Sequence, residues 1–252
     1  MNRVRHRWLM LVLMIGLGSP AWCAPLADSI ADFSGAQGQD HWFYGFYDQG
    51  VVGGLPHGYS TNGFIELGIF SDDPSVPRWT ASDLQVGAQN NVFLSVDALG
   101  GHPTGIGPGD QDHLIWAVRR YQSPVNGLID ISIDLKKLNV VNPGGGGITG
   151  RVFVDGAEVF TQLIDNIDAV GVQRTLRANV DIGSFIDFAI DSTGITPGAG
   201  SDGIYSARAD GSQFSAVIAI VPEPSSLLML SIGGVALGVL LPRSRKNVKS
   251  RL

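Results

Sequence analysis

The sequence predicts an all-β fold: an antiparallel, jelly-roll-like β-sandwich ectodomain between an N-terminal signal peptide and a single C-terminal transmembrane helix. Three observations predict it. Apolar residues alternate with polar ones at a period of two in segment after segment, which is how a half-buried strand reads. Glycine makes up 34 of 252 residues and charged residues only 16%, a turn-rich composition. Sustained helical periodicity is missing, and no repeat of 20 to 50 residues stands out.

At the N-terminus, Arg3, Arg5 and Arg7 precede the apolar run Trp8 to Leu17, and small or breaker residues follow to Ala24. Charged, apolar and small-residue regions in that order read as a secretory signal over residues 1–24, used by the Sec machinery. The only cysteine, Cys23, follows Trp22, too bulky for a lipidation motif. The body thus has neither a disulfide nor a cysteine metal site.

The body, residues 25–221, contains about ten candidate strands. Trp42 to Tyr47 carries aromatics on both faces. Phe64 to Phe70 and Val92 to Val96 follow. Leu114, Trp116 and Val118 alternate with Ile115, Ala117 and Arg119, the tryptophan side facing the core. Ile129, Ile131, Ile133 and Leu135 alternate with Asp130, Ser132 and Asp134. Val152 to Val154 and Ala157 to Phe160 flank Asp155-Gly156, a dipeptide that supplies the positive φ of a two-residue hairpin turn. Arg174 to Val180, Ile186 to Ile190 and Phe214 to Val221 complete the set. One wet and one dry face per strand implies two antiparallel sheets packed face to face.

Charge excludes one class of partner. Three arginines lie in residues 1–24 and five basic residues follow Leu241, leaving 9 basic against 23 acidic residues between them, a net charge of −14. Nucleic acid needs a basic face and is excluded as a partner. The four glycines Gly144 to Gly147 lack the Lys-Ser/Thr ending of a phosphate loop.

The last thirty residues have their own order. Pro222, Glu223 and Pro224 precede Ser225 to Leu241, a run without charge, and Arg243, Arg245, Lys246, Lys249 and Arg251 follow. As a helix, 17 residues at 1.5 Å each span about 25 Å, near the lower limit for a bilayer. The basic end would stay cytoplasmic and the body outside. This series resembles the PEP-CTERM sorting tail of exported bacterial proteins, residues 222–252 here. The resemblance implies recognition by an exosortase in the inner membrane, then release or transfer to the cell surface or extracellular matrix.

The body also has familiar segments: Phe33 to Gly38, Trp42 to Tyr47, Ala117 to Tyr121, Ser123 to Gly127, Phe153 to Phe160 and Ile186 to Asp191. They are similar to jelly-roll modules of secreted bacterial proteins, some of which look like carbohydrate-binding sandwiches. The resemblance hands over no catalytic residues.

Candidate chemistry is sparse. Trp42, Tyr44 and Trp79, the last in a loop-like context after Pro77-Arg78, are candidate platforms for sugar rings. The alternative is that they are core. Asp187, Asp191 and Asp202 bracket a glycine-rich stretch and are candidate ligands for a structural calcium, which takes six to eight oxygens. Arg119 and Arg120 point to opposite faces; either could clamp an acidic sugar or, the simpler reading, pair with a carboxylate. No Gly-x-Ser-x-Gly elbow and no marked carboxylate pair is present. The reading is a non-enzymatic exported surface or matrix protein associated with exopolysaccharide. Its alternatives are a carbohydrate-binding module using exposed aromatics, or a glycan-active enzyme.

Overall fold

The computed structural model describes residues 25–51, 59–81, 94–104, 113–140, 147–192 and 211–221. The predicted signal, the tail from Pro222 onward and Asp202 lie outside the described residues. Among the described residues, fourteen strands run in chain order: β1 (Ala27–Asp28), β2 (Trp42–Val51), β3 (Phe64–Glu66), β4 (Ile69–Ser71), β5 (Arg78–Thr80), β6 (Ser95–Asp97), β7 (Gly100–His102), β8 (His113–Gln122), β9 (Gly127–Lys137), β10 (Ile148–Val154), β11 (Ala157–Ile164), β12 (Val172–Val180), β13 (Phe185–Asp191) and β14 (Ser212–Ile220). Among the described residues the helical elements are two short 3₁₀ turns, and no helix is long and apolar enough to cross a membrane.

The strands form two sheets. One has eight strands in the order β12-β9-β14-β7-β6-β5-β4, with β1 also paired to β14. The other has six, in the order β11-β10-β13-β8-β2-β3. Every pairing between named strands is antiparallel. Their inner faces share one core. From the larger sheet come Ile129, Ile131, Ile133, Leu135, Phe214, Ala216 and Ile218; from the smaller come Trp42, Tyr44, Phe46, Ile115, Tyr121, Val152, Ile186 and Phe188. The predicted antiparallel sandwich is therefore what these residues build.

Local rules account for the best-read elements. Asp155 and Gly156 both take positive φ, 49° and 84°, and turn β10 into β11 as a two-residue hairpin. The Asp155 carboxylate accepts from the Ser184 hydroxyl at 2.7 Å and from the Phe185 N–H at 2.8 Å, tying that turn to the start of β13. Gly150 on β10 sits under Leu135 of the other sheet, where an added Cβ would lie 2.4 Å from Leu135 Cδ2. A side chain there would force the sheets apart.

Three expectations are corrected. Phe64 to Phe70 is two strands in different sheets, because the chain crosses from β3 to β4 at Leu67-Gly68, where Leu67 is held by backbone and side-chain bonds to Tyr44 and Gln37. Trp79 lies within β5 rather than in a loop. In β8 the face order is the reverse of the expectation. Ile115, Ala117, Arg119 and Tyr121 point into the shared core, while Trp116 and Val118 join a separate outer cluster.

Both chain ends of the described sandwich leave from one end. Leu26 N–H donates to the Ile218 carbonyl at 2.7 Å, and Val221 N–H donates to the Leu128 carbonyl at 2.9 Å. That end also holds the turn between β8 and β9 and the turn between β12 and β13.

Candidate functional site

The candidate sugar platforms are not platforms. Trp42 is 0% exposed, Tyr44 0% and Trp79 5%. Tyr44 and Trp79 stack on each other, 5.8 Å between centroids and 15° between planes, across the two sheets. Trp42 packs on Tyr121 and Phe188. Their polar atoms are spent inside the fold: Trp79 Nε1 donates to the Ser34 carbonyl at 3.0 Å, and the Tyr44 hydroxyl accepts from Ser34 N–H at 3.3 Å. Burial pushes the Tyr44 phenol above its ordinary value. Aromatics alternate along β2 because Trp42, Tyr44 and Phe46 fill the core.

The candidate calcium ligands Asp187 and Asp191 are already engaged. Both lie on the outer face of the six-stranded sheet, each engaged by an arginine. Arg120 grips Asp187 with two bonds, Nε to Oδ1 at 2.6 Å and Nη2 to Oδ2 at 3.0 Å, and Asp187 is fully buried. Arg151 reaches Asp191 at 3.3 Å and Glu158 at 2.9 Å. A cation placed there would compete with two guanidinium groups already using those oxygens. Asp202 lies outside the described residues, and among these no group of three metal-ligating side chains converges.

The outer face of that sheet is a second packed layer. Arg120 sits over the rings of Phe64 and Phe185, 4.1 and 4.4 Å from their centroids, and Arg151 lies 5.1 Å from Trp116. Tyr59 stacks on Phe153 at 3.9 Å. Burial, then the nearby Asp187 charge, push the Tyr59 phenol far up. Burial opposes the Arg120 charge, but the two bonds to Asp187 outweigh it and hold its pKa above normal. The alternation of cation and ring is a stabilising arrangement.

The open polar surface lies on the other sheet. A shallow trough of about 440 Å³ crosses the outer faces of β9, β12 and β14. It is lined by Ser132 and Asp134 from β9, Gln173 and Thr175 from β12, and Ser215 and Val217 from β14. Antiparallel register sets the rows: Thr175, Ser132 and Val217 lie side by side, as do Gln173, Asp134 and Ser215. The hydroxyls of Ser132 and Thr175 are 3.1 Å apart. Gln213 donates to Asp134 at 2.8 Å. Beyond one end of the trough, Arg177 grips Asp130 at 2.7 and 3.0 Å, which lowers the Asp130 pKa. Alternation in the sequence puts Asp130, Ser132 and Asp134 on one wet face. It carries no sign that β12 and β14 flank them, so the trough was invisible there.

No protein family matches this sequence, and no curated protein does. Solved structures align with it at low similarity. A family 35 carbohydrate binding module from Clostridium thermocellum aligns at a TM-score of 0.26 and 13% identity, over 48% of this chain and 74% of that one. A CBM51 from Clostridium perfringens GH95, in complex with methyl-galactose, gives 0.25 and 15%, over 47% and 80%. The β-glucosidase from Kluyveromyces marxianus gives 0.32 and 11%, over 85% of this chain and 21% of that one. The chain spans about a fifth of that enzyme's length. At these TM-scores the likeness carries no argument about activity or ligand.

Proposed function

We propose that this chain is an exported, non-enzymatic β-sandwich protein, held at the outer side of a membrane by its tail and passed by an exosortase to the cell surface or matrix. The observation that carries the reading is the order of Pro222-Glu223-Pro224, the uncharged run Ser225 to Leu241 and the five basic residues after it. The packing of the body supports a structural rather than catalytic role, since the most buried carboxylate among the described residues, Asp187, is taken up by Arg120. Fractionating cells with and without the exosortase tests it. The full-length chain should accumulate in the membrane fraction when the exosortase is missing, and unchanged fractionation would overturn the sorting claim.

A second reading, contact with a neutral polysaccharide, is favoured by the trough. Its hydroxyl, amide and carboxylate groups match the donor and acceptor mix of sugar hydroxyls. Association would run through the outer face of β9, β12 and β14, and the buried aromatics would take no part. Filling the trough with Ser132→Arg or Thr175→Arg should release the protein from the organism's own exopolysaccharide in a pull-down. Retention equal to wild type would remove this reading.

A further inference from the structure

We infer that the end of the sandwich carrying Leu128, Ile182 and Ile220 rests on the lipid surface, so that the strands stand upright on the membrane. The inference rests on the reading of the tail as membrane-inserted. It adds an orientation and a contact surface that the tail does not specify.

Reach sets the orientation. Val221 is not loosely attached, because its N–H is bonded to the Leu128 carbonyl. From that fixed point to Ser225 the chain has four residue steps, which span at most about 14 Å fully extended. The polar interface of a bilayer takes up about 5–8 Å of this on each side. Less than about 10 Å then separates the base of the sandwich from the headgroups, and any tilt closes that gap. The residues brought there are apolar and exposed: Ile182 is 67% exposed, Ile220 42% and Leu128 39%. Among the described residues, the charged groups nearest this end are Asp181 and Asp155, which caps the neighbouring turn, with the paired Arg177 and Asp130 farther up the strands. Apolar tips with acidic neighbours suit a zwitterionic interface and would be repelled by an anionic one.

Exposure alone would not choose this end. Ile167 and Val170, in the connection between β11 and β12, are 75% and 84% exposed. That connection leads into Val172, which pairs with Leu135, seven residues along β9 from Leu128, or about 23 Å away at strand rise. A tether of at most about 14 Å fixed at Val221 holds the Leu128 end nearest the membrane and the Ile167 end farthest from it.

The test uses the full chain with Cys23→Ser, so that an introduced cysteine is unique. Ile182→Cys and Ile167→Cys variants carry an environment-sensitive fluorophore and are reconstituted into phosphatidylcholine vesicles with or without a headgroup-attached quencher. Loss of fluorescence at position 182 with none at 167 is expected. Co-flotation with vesicles but no quenching at 182, or equal quenching at both positions, would overturn the proposal while leaving the tail reading intact. Failure to co-float would overturn the tail reading and this one with it. Shielding of position 182 from aqueous iodide before vesicles are added would assign the surface to residues 1–24 and also overturn it.

Discussion

Arg119 and Arg120 leave β8 in opposite directions and meet opposite fates. Arg120 finds a carboxylate in bidentate geometry and two aromatic rings. Arg119 enters the core, where its Nη2 donates to the carbonyls of Asp97 and Ala98, while Nε and Nη1 have no partner among the described residues. Burial, its largest influence, lowers the Arg119 pKa to about 10. The two sites should therefore respond differently to substitution. Asp187→Ala strands the Arg120 charge in a buried layer and should cost about 3–5 kcal/mol. The double variant Arg120→Met/Asp187→Leu should recover most of that. Arg119→Met removes a half-satisfied cation and should stay within about 2 kcal/mol of wild type. Denaturant unfolding of the four proteins measures all of this. An Arg119→Met loss as large as that of Asp187→Ala would show that the core arginine is paired after all.

Elements were legible where the rule is local. The Asp155-Gly156 turn, the alternation in β9 and the aromatic stripe of β2 needed only neighbouring residues, and each stands where its pattern places it. What failed depended on distant chain. Trp116 alternates as a core residue would, but Arg119, on the opposite face, takes the core side of β8, because Asp97 at the end of β6 and Ala98 just after it offer carbonyls there. Trp79 reads as a loop residue since β5 is three residues long, too short for a period of two to show. Glycines divide the same way. Gly156→Ala meets no clash, its nearest neighbour being Thr61 Cγ2 at 3.7 Å, so its cost is the positive φ alone, about 1–2 kcal/mol. Gly156→Asn should cost less, because Asn tolerates that region. Gly150→Ala has an extended backbone but collides with Leu135, and should cost about 1–3 kcal/mol as overpacking. Leu135→Ala should therefore couple strongly to Gly150→Ala and not at all to Gly156→Ala in a double-mutant cycle. Equal coupling to both would contradict the packing described for β10.

At the scale of the molecule, sheet order is what the sequence withheld, and sheet order made both the trough and the double-layered core. Strands β9, β12 and β14 are neighbours in space, yet β9 and β14 pair residues from 75 positions apart (Lys137 and Ser212) to 91 apart (Ile129 and Ile220), and nothing local encodes that. The layered core has a consequence for alkaline stability. Tyr44, Tyr59 and Tyr121 are all pushed above the ordinary 10.0, chiefly by burial, Tyr121 to about 12. In the folded protein these phenols stay protonated after the unfolded chain has begun to ionise its own. The unfolded state then binds fewer protons, so stability falls as pH rises. The contribution is complete below pH 10 and drains away from there through about 12, where Tyr121 itself ionises. Denaturant midpoints followed from neutral to alkaline pH should hold level and then fall beyond 10. Tyr121→Phe isolates one share of the effect. Its hydroxyl has no partner among the described residues, so the variant should match wild type at neutral pH and lose less stability in base. A variant that falls as steeply as wild type would mean that the Tyr121 phenol reaches water, and that the seam between the two sheets is open at Trp42.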